Sequence, residues 1–248
     1  MLLTHTVGLG YDLADADLMK WSNFVGRTDT NLEWSKAGFN TPLKFTPAEG
    51  WYYGSAMDWA GILLEKITGL TIGEYMKANI FDPLDMRDTT FWPSASVADR
   101  TVTCTYRQED GGLLPGALPV PKRHEIESGG AGLFSTADDY SIFFQGLLSG
   151  KLVSETTLTA MFWPQLYGGQ QSSLNAIVYA SAASIMAFVP GFPVNLPIDH
   201  GFGGLLNLRD VLGKRRKESM TWSGMANSRW VRNLPFGSLI MPPLRCSY

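Results

Sequence analysis

An α+β fold is predicted for this chain by three features of its sequence. Helical periodicity is concentrated before residue 162, strand-like patterns come after residue 198, and Gly/Pro-rich stretches separate them. Helices are expected mainly over residues 11–160 and a sheet mainly over 198–235, in one large domain or two intimately packed lobes. A chain of 248 residues is long enough to bury a sizeable core.

The elements follow in order. Asp15 to Phe24 has helical spacing, with Leu18, Trp21, Ser22 and Val25 on one side and an Asp cluster at its start. Residues 31–47 read as a turn-rich approach ending in FTPAEG. Ser55 is placed as an N-cap, with Asp58 three residues on in a capping-box-like arrangement. Trp59, Ile62, Leu63 and Ile67 then form one apolar face, and Gly69 is the expected stop. Thr71 to Ile80 reads as a further helix. Residues 108–129, rich in Gly and Pro, are too long for a simple turn and are expected to cover a site or cross a face.

The next helix starts at Ser135 or Thr136, carries Asp138 and Asp139 at its positive end, and buries Tyr140, Phe143, Phe144, Leu147 and Leu148. Ser154 to Phe162 reads as a short helix. HGFGGLLNLRDV and SMTWSG read as two strands joined by LGKRRKE, whose basic run Lys214 to Lys217 is expected to be a solvated turn.

Composition excludes several classes. A net charge of −3 gives no electrostatic footprint for nucleic acid. The longest weakly polar run, 176–197, is broken by serines, prolines and a glycine, so no membrane span is expected. Cys104 and Cys246 do not form a disulfide framework or a metal-type pair, and read as thiols of a reducing compartment. The first residues lack the charge pattern of a secretion signal, which makes a cytoplasmic location the expectation.

Neither a metal nor a cofactor is expected. His5, His124 and His200 are not spaced as zinc ligands. G-x-S-x-G is absent, and GLGYDL holds only part of a dinucleotide fingerprint.

Serine acyl transfer without histidine remains. In that chemistry a lysine one helical turn from a serine, together with a tyrosine, takes the serine proton. A phenol with a solution pKa of roughly 10 is a poor base at neutral pH, and adjacent cations lower that value. Such a role would account for Tyr53, which stands just before the capped helix in WYYGSAMDWAGILLEKITG.

Five segments carry a resemblance, in this order: LLTHTVGLGYD, WYYGSAMDWAGILLEKITG, PLDMRDTTF, GGAGLFSTADDYSIFFQGLLSG and TWSGMANSRW. Together they resemble the serine β-lactamase-like family, most closely the class C-type esterase and transesterase branch that includes fungal acyltransferases of polyketide pathways. The resemblance runs from residue 1 to about 230. It implies a single domain over residues 1–248 with a β-lactamase/DD-peptidase-like fold, a helical lobe on an antiparallel sheet with flanking helices and the site in the crevice between them.

It also implies the site residues. Tyr53 matches the tyrosine of the family's Tyr-x-Asn motif, with Ser55 where Asn is common. Trp222, Ser223 and Gly224 stand in place of Lys-Thr-Gly, and the N–H of Met225 would be an oxyanion donor. Trp222 removes a cation that would pair with a substrate carboxylate, which favours small neutral esters or thioesters in secondary metabolism over lactam antibiotics. An aromatic rim of Trp51, Tyr52, Trp59 and Trp222 fits an apolar substrate. Acyl would pass from an acyl-serine to water or an alcohol.

The family's Ser-x-x-Lys pair is absent. No serine has lysine three residues later, and the only hydroxyl match, Thr41 with Lys44, lies where the family has no nucleophile. The family places that pair ahead of the LLTHT segment, so the sequence reads as incomplete at its start, and its tail departs from the expected closing strand and helix. The alternative expectation is therefore a catalytically inactive fragment or pseudoenzyme. Oligomeric state is left open.

Overall fold

The computed structural model describes residues 1–13, 15–117, 120–121, 123–224 and 228–232. They form two compact units. One comprises Met1–Thr101 with the described part of 119–158, and the other comprises 102–118 with the described residues from Thr159 onward.

The first unit is helical. Its elements are α1 (Ala16–Phe24), α2 (Lys36–Phe39), α3 (Ala56–Thr68), α4 (Ile72–Met76), α5 (Asp82–Leu84), α6 (Ala95–Ala98) and α7 (Ala137–Leu148). Local capping chemistry sets several of these ends. Asp15 accepts from the N–H groups of Asp17 and Leu18 to start α1. Gly69 takes the left-handed conformation that stops α3. Thr71 and Glu74 form a reciprocal capping box on α4, which runs on into a π-turn, Lys77–Phe81. Thr136, not Ser135, caps α7 by accepting from Asp139 N–H.

Two expectations for helix faces are corrected. On α1 only Leu18 of the expected side is buried; Trp21 and Ser22 are half-buried and Val25 is 52% exposed. On α3 the buried positions are Ala56, Asp58 and Gly61, with Trp59 and Ile62 packed against Trp34, Phe39 and Ile126, while Leu63 and Ile67 face outward. Small residues at 56 and 61 let neighbouring segments approach one side of α3, and that side wins over the longer aliphatic stripe. A second cluster joins Phe81, Leu84 and Met86 to Ile142 and Phe143 of α7.

The second unit holds the sheets. β1 (Cys104–Arg107) and β2 (Leu113–Gly116) form a two-stranded antiparallel hairpin, with β2 inside the Gly/Pro-rich stretch 108–129 and β1 just before it. α8 (Glu155–Met161), which spans the boundary between the units, is followed by α9 (Gly169–Val178) and α10 (Ala182–Phe188), two helices in a stretch read only as a Pro/Gly-interrupted apolar run. The main sheet is antiparallel in the order β3 (Ile198–His200), β4 (Leu205–Asn207), β5 (Met220–Gly224) and β6 (Ser228–Arg232). The expected first strand, 200–211, therefore breaks into the end of β3, a glycine turn and β4. Gly201 sets the break, because a side chain there would meet the Met161 carbonyl oxygen at 2.3 Å. The core of this unit is built from Leu174, Val178, Ile198, Leu205, Leu206 and Met220.

Among the described residues no helix is long and apolar enough to cross a membrane, and no group of His, Cys, Asp or Glu could hold a metal ion.

Candidate active site

Tyr53 sits at the mouth of α3, where residues 1–11 wrap around it. The Tyr52 N–H donates to the His5 carbonyl at 3.0 Å, and Ala48 N–H to Thr6 at 2.8 Å. Gly54 has to be glycine here. A Cβ would lie 2.4 Å from the Leu9 oxygen and 2.5 Å from Gly10 Cα, so the tyrosine's own backbone is pressed onto the first loop.

The ring of Tyr53 is set by two neighbours. The Tyr11 ring meets it edge-on at 5.4 Å, and the buried His5 ring lies tilted at 5.1 Å. Burial raises the Tyr53 phenol above its ordinary value. A hydrogen bond from the Tyr11 hydroxyl opposes that shift, and the Asp58 charge adds to it. Tyr11 itself is pushed up by burial, with the Tyr53 and Asp58 charges adding to the effect. Both phenols are thus protonated at neutral pH, and Tyr11 is oriented to donate to whichever form Tyr53 takes. The sequence reading missed Tyr11, although it lies at the end of the quoted LLTHTVGLGYD segment.

Asp58 is the second residue it missed as a site element. It is not part of a capping box. Ser55 occupies the N-cap of α3 without a side-chain cap bond, and Asp58 turns inward to accept from Ser128 Oγ at 2.6 Å and Gly130 N–H at 3.1 Å. Burial raises the Asp58 carboxyl and these donors lower it, burial being the larger effect. The pairing ties the helix that carries Tyr53 to the ESGGAG turn.

The expected aromatic rim is corrected in part. Trp51 is fully buried and packs against His5 at 6.0 Å, so it is core and no rim. Tyr52 donates its hydroxyl to Asp15, which also accepts from Lys44 Nζ at 2.9 Å. Trp59 is half-buried, with Nε1 donating to the Phe39 carbonyl at 3.1 Å. Ser55 is fully buried, its hydroxyl without a hydrogen-bond partner among the described residues.

In the second unit, β5 presents Trp222 half-buried and Gly224 exposed. The Trp222 ring meets His200 edge-on at 5.6 Å and Phe188 at 6.5 Å. Burial lowers the His200 imidazole to about 4, against a smaller opposing effect of the Gly201 carbonyl, so it is neutral at pH 7. Ser223 Oγ donates to the Ala187 carbonyl at the end of α10. Met225 lies outside the described residues.

The family model described as Beta-lactamase matches residues 1–234. The chain is 32% identical over 238 residues to a lovastatin esterase of Penicillium rubens, which covers 93% of this chain and 59% of that protein. It is 30% identical over 237 residues to a monacolin J acid methylbutanoyltransferase of Aspergillus terreus, covering 92% and 57%. A solved mutant of simvastatin synthase from Aspergillus terreus superposes with a TM-score of 0.82 at 31% identity, covering 94% of this chain and 56% of that one. The chain thus spans rather more than half the length of the curated relatives it matches. The β-lactamase/DD-peptidase-like fold expected from the sequence holds.

Proposed function

Because the chain belongs to the beta-lactamase family, we propose that its chemistry is acyl transfer on small neutral esters or thioesters, with Tyr53 as the proton acceptor of a serine nucleophile. The named relatives, an esterase and an acyltransferase, support the reaction class. The observation that carries the residue-level reading is the position of Tyr53: fixed by Gly54 against the first loop, and hydrogen-bonded by a second phenol.

The steps follow from that placement. As the phenolate, the form an adjacent cation favours, Tyr53 takes the serine proton as the serine oxygen attacks the ester carbonyl. The carbonyl oxygen becomes an oxyanion, and the proton then passes from Tyr53 to the leaving oxygen or sulfur. The backbone N–H of Met225 and that of the nucleophile itself are the proposed donors to that oxyanion, each worth about 3 kcal/mol in sites of this type. Collapse expels the alcohol or thiol and leaves an acyl-serine, which water or a second alcohol then attacks. Trp222, with a neutral His200 and Phe188 beside it, supports an uncharged substrate. Ser55, too short and too buried to reach outward, holds backbone position where a longer amide would touch substrate.

A second reading has its own observations. The sequence holds no Ser-x-x-Lys, and the Tyr53 phenol is raised, the opposite of what a base at neutral pH needs. That combination describes a binding remnant without acylation.

Turnover of p-nitrophenyl esters by the protein produced in its source cells separates the two. Ester hydrolysis that outpaces lactam hydrolysis, and whose kcat drops about 10²–10⁴-fold in Tyr53→Phe with little change in KM, supports acyl transfer. Ester turnover indifferent to Tyr53→Phe removes Tyr53 from the reaction. No turnover at all leaves the remnant.

A further inference from the structure

The second unit holds an unbalanced pair of charges, and we infer that Arg215, set over the Phe192 ring, and Arg229, reaching the end of α10 from β6, form a binding site for a phosphate-type dianion.

The run Lys214 to Lys217 reads as a solvated turn, and Arg216 and Lys217 are indeed exposed. Arg215 is different. Its backbone is fixed by reciprocal bonds with Val211, at 2.8 and 2.9 Å. Its guanidinium lies over the buried Phe192 ring at 4.7 Å from the centroid. Stacking of that kind holds the plane and leaves the N–H edge to bind.

Arg229 approaches from β6. In the sheet register it lies opposite Ser223, so the two side chains share a face. Both reach the end of α10: Ser223 Oγ donates to Ala187, and Arg229 Nη2 to the Met186 carbonyl at 3.3 Å. Arg215 Nη1 and Arg229 Nε are nonetheless buried without a hydrogen-bond partner among the described residues. Burial depresses the Arg215 guanidinium and the Arg229 charge depresses it further, while burial alone depresses Arg229.

The acids of the turn do not compensate them. Glu218 pairs with Lys217 Nζ at 3.2 Å, and Asp210 accepts from the Lys217 N–H at 2.6 Å. No ion pair is formed by either arginine among the described residues. Lys214 Nζ, 3.4 Å from the Gly191 carbonyl, adds a third cation. A buried charge without a partner is costly, and an oxyanion with several acceptors removes that cost while satisfying the orphaned N–H groups. A carboxylate would balance one guanidinium. A phosphate balances both.

The test is isothermal titration of the 248-residue chain with inorganic phosphate and, separately, phenyl phosphate, at constant ionic strength held with chloride. Saturable binding is expected, with Kd rising at least about tenfold in Arg215→Met and in Arg229→Met and unchanged in Lys217→Met, which removes a charge from the same turn. Equal affinity for the two ligands assigns the site to phosphate esters, and preference for inorganic phosphate assigns it to the free ion. If a methionine variant does not fold, Arg215→Lys and Arg229→Lys keep the charge and lose the fork, and the same weakening is expected. The inference is overturned by no saturable binding of either ligand, by an equal loss in Lys217→Met, or by lysine variants that bind as well as the parent.

Discussion

The two units treat buried charge differently. In the first, each buried carboxylate meets donors. Asp12 takes Arg27 at 2.6 Å, Asp15 takes Lys44 and Tyr52, Asp58 takes Ser128, and Asp139 takes the Thr89 hydroxyl at 2.7 Å and the Asp88 N–H at 2.9 Å. In the second, Asp199 accepts only from neutral N–H groups, while Arg215 and Arg229 have no carboxylate partner among the described residues. In the first unit the mostly buried Arg27 and Lys44 each meet a buried carboxylate. The second has a positive balance that something outside the chain can neutralise. The contrast teaches where added ligand would stabilise and where it would not.

The largest effect that could break this comparison is expected at Asp12. Replacing it with Ala leaves the mostly buried Arg27 without its carboxylate, with only the Ala37 and Gly38 carbonyls to receive it. Chemical denaturation should show a loss of about 3–5 kcal/mol. A loss below about 1 kcal/mol would mean that this pairing contributes little.

Next comes His200, whose imidazole is lowered from 6.5 to about 4. The unfolded chain binds a proton below about 6.5 and the folded chain does not, so this stabilisation is present above that pH. It should fall away between about 6.5 and about 4, by roughly 3 kcal/mol in total. A His200→Asn variant should flatten that part of the stability profile.

Asp15 acts lower on the pH scale. Burial alone would raise its carboxyl, but hydrogen bonds from Tyr52 and Lys44 outweigh it and hold the group at about 2 against an ordinary 3.8. A lowered carboxyl stabilises the fold above about 4 and loses that contribution as pH falls towards about 2, here about 2 kcal/mol. Lys44→Met should remove much of this acid-sensitive stability.

The smallest expected effect is the sharpest contrast. In phosphate-free buffer Arg215→Met should leave stability within about 0.5 kcal/mol of the parent or raise it, because no pair is broken. Lys44→Met, the same chemical change in the first unit, should destabilise. Equal losses in the two variants would erase the distinction between the units.

What could be read from sequence tracks how local the signal is. Asp15, Gly69, Thr71 and Thr136 act within one helical turn, and their residue types sufficed. Tyr53 was singled out because its neighbours in sequence form a recognisable segment. Asp58 and Ser128 are 70 residues apart, and no local pattern announces their meeting, although a buried acid in a first helical turn invites a search for a distant donor. α9 and α10 are rich in Ser, Gln and Ala, with weak apolar periodicity. β2 carries Pro115 and glycines that read as loop, yet a two-stranded ribbon tolerates proline on its free edge. Arg215 was hidden by its exposed neighbours, since charge runs say nothing about which member turns inward.

The measurement closest to the central claim is the rate of covalent labelling by a serine-reactive phosphonate ester, followed by peptide mass, in the protein made by its source cells and in its Tyr53→Phe variant. The account predicts one labelled serine and a labelling rate about 10²-fold or more lower in the variant. An equal rate in the two proteins, or no labelled serine, would contradict it.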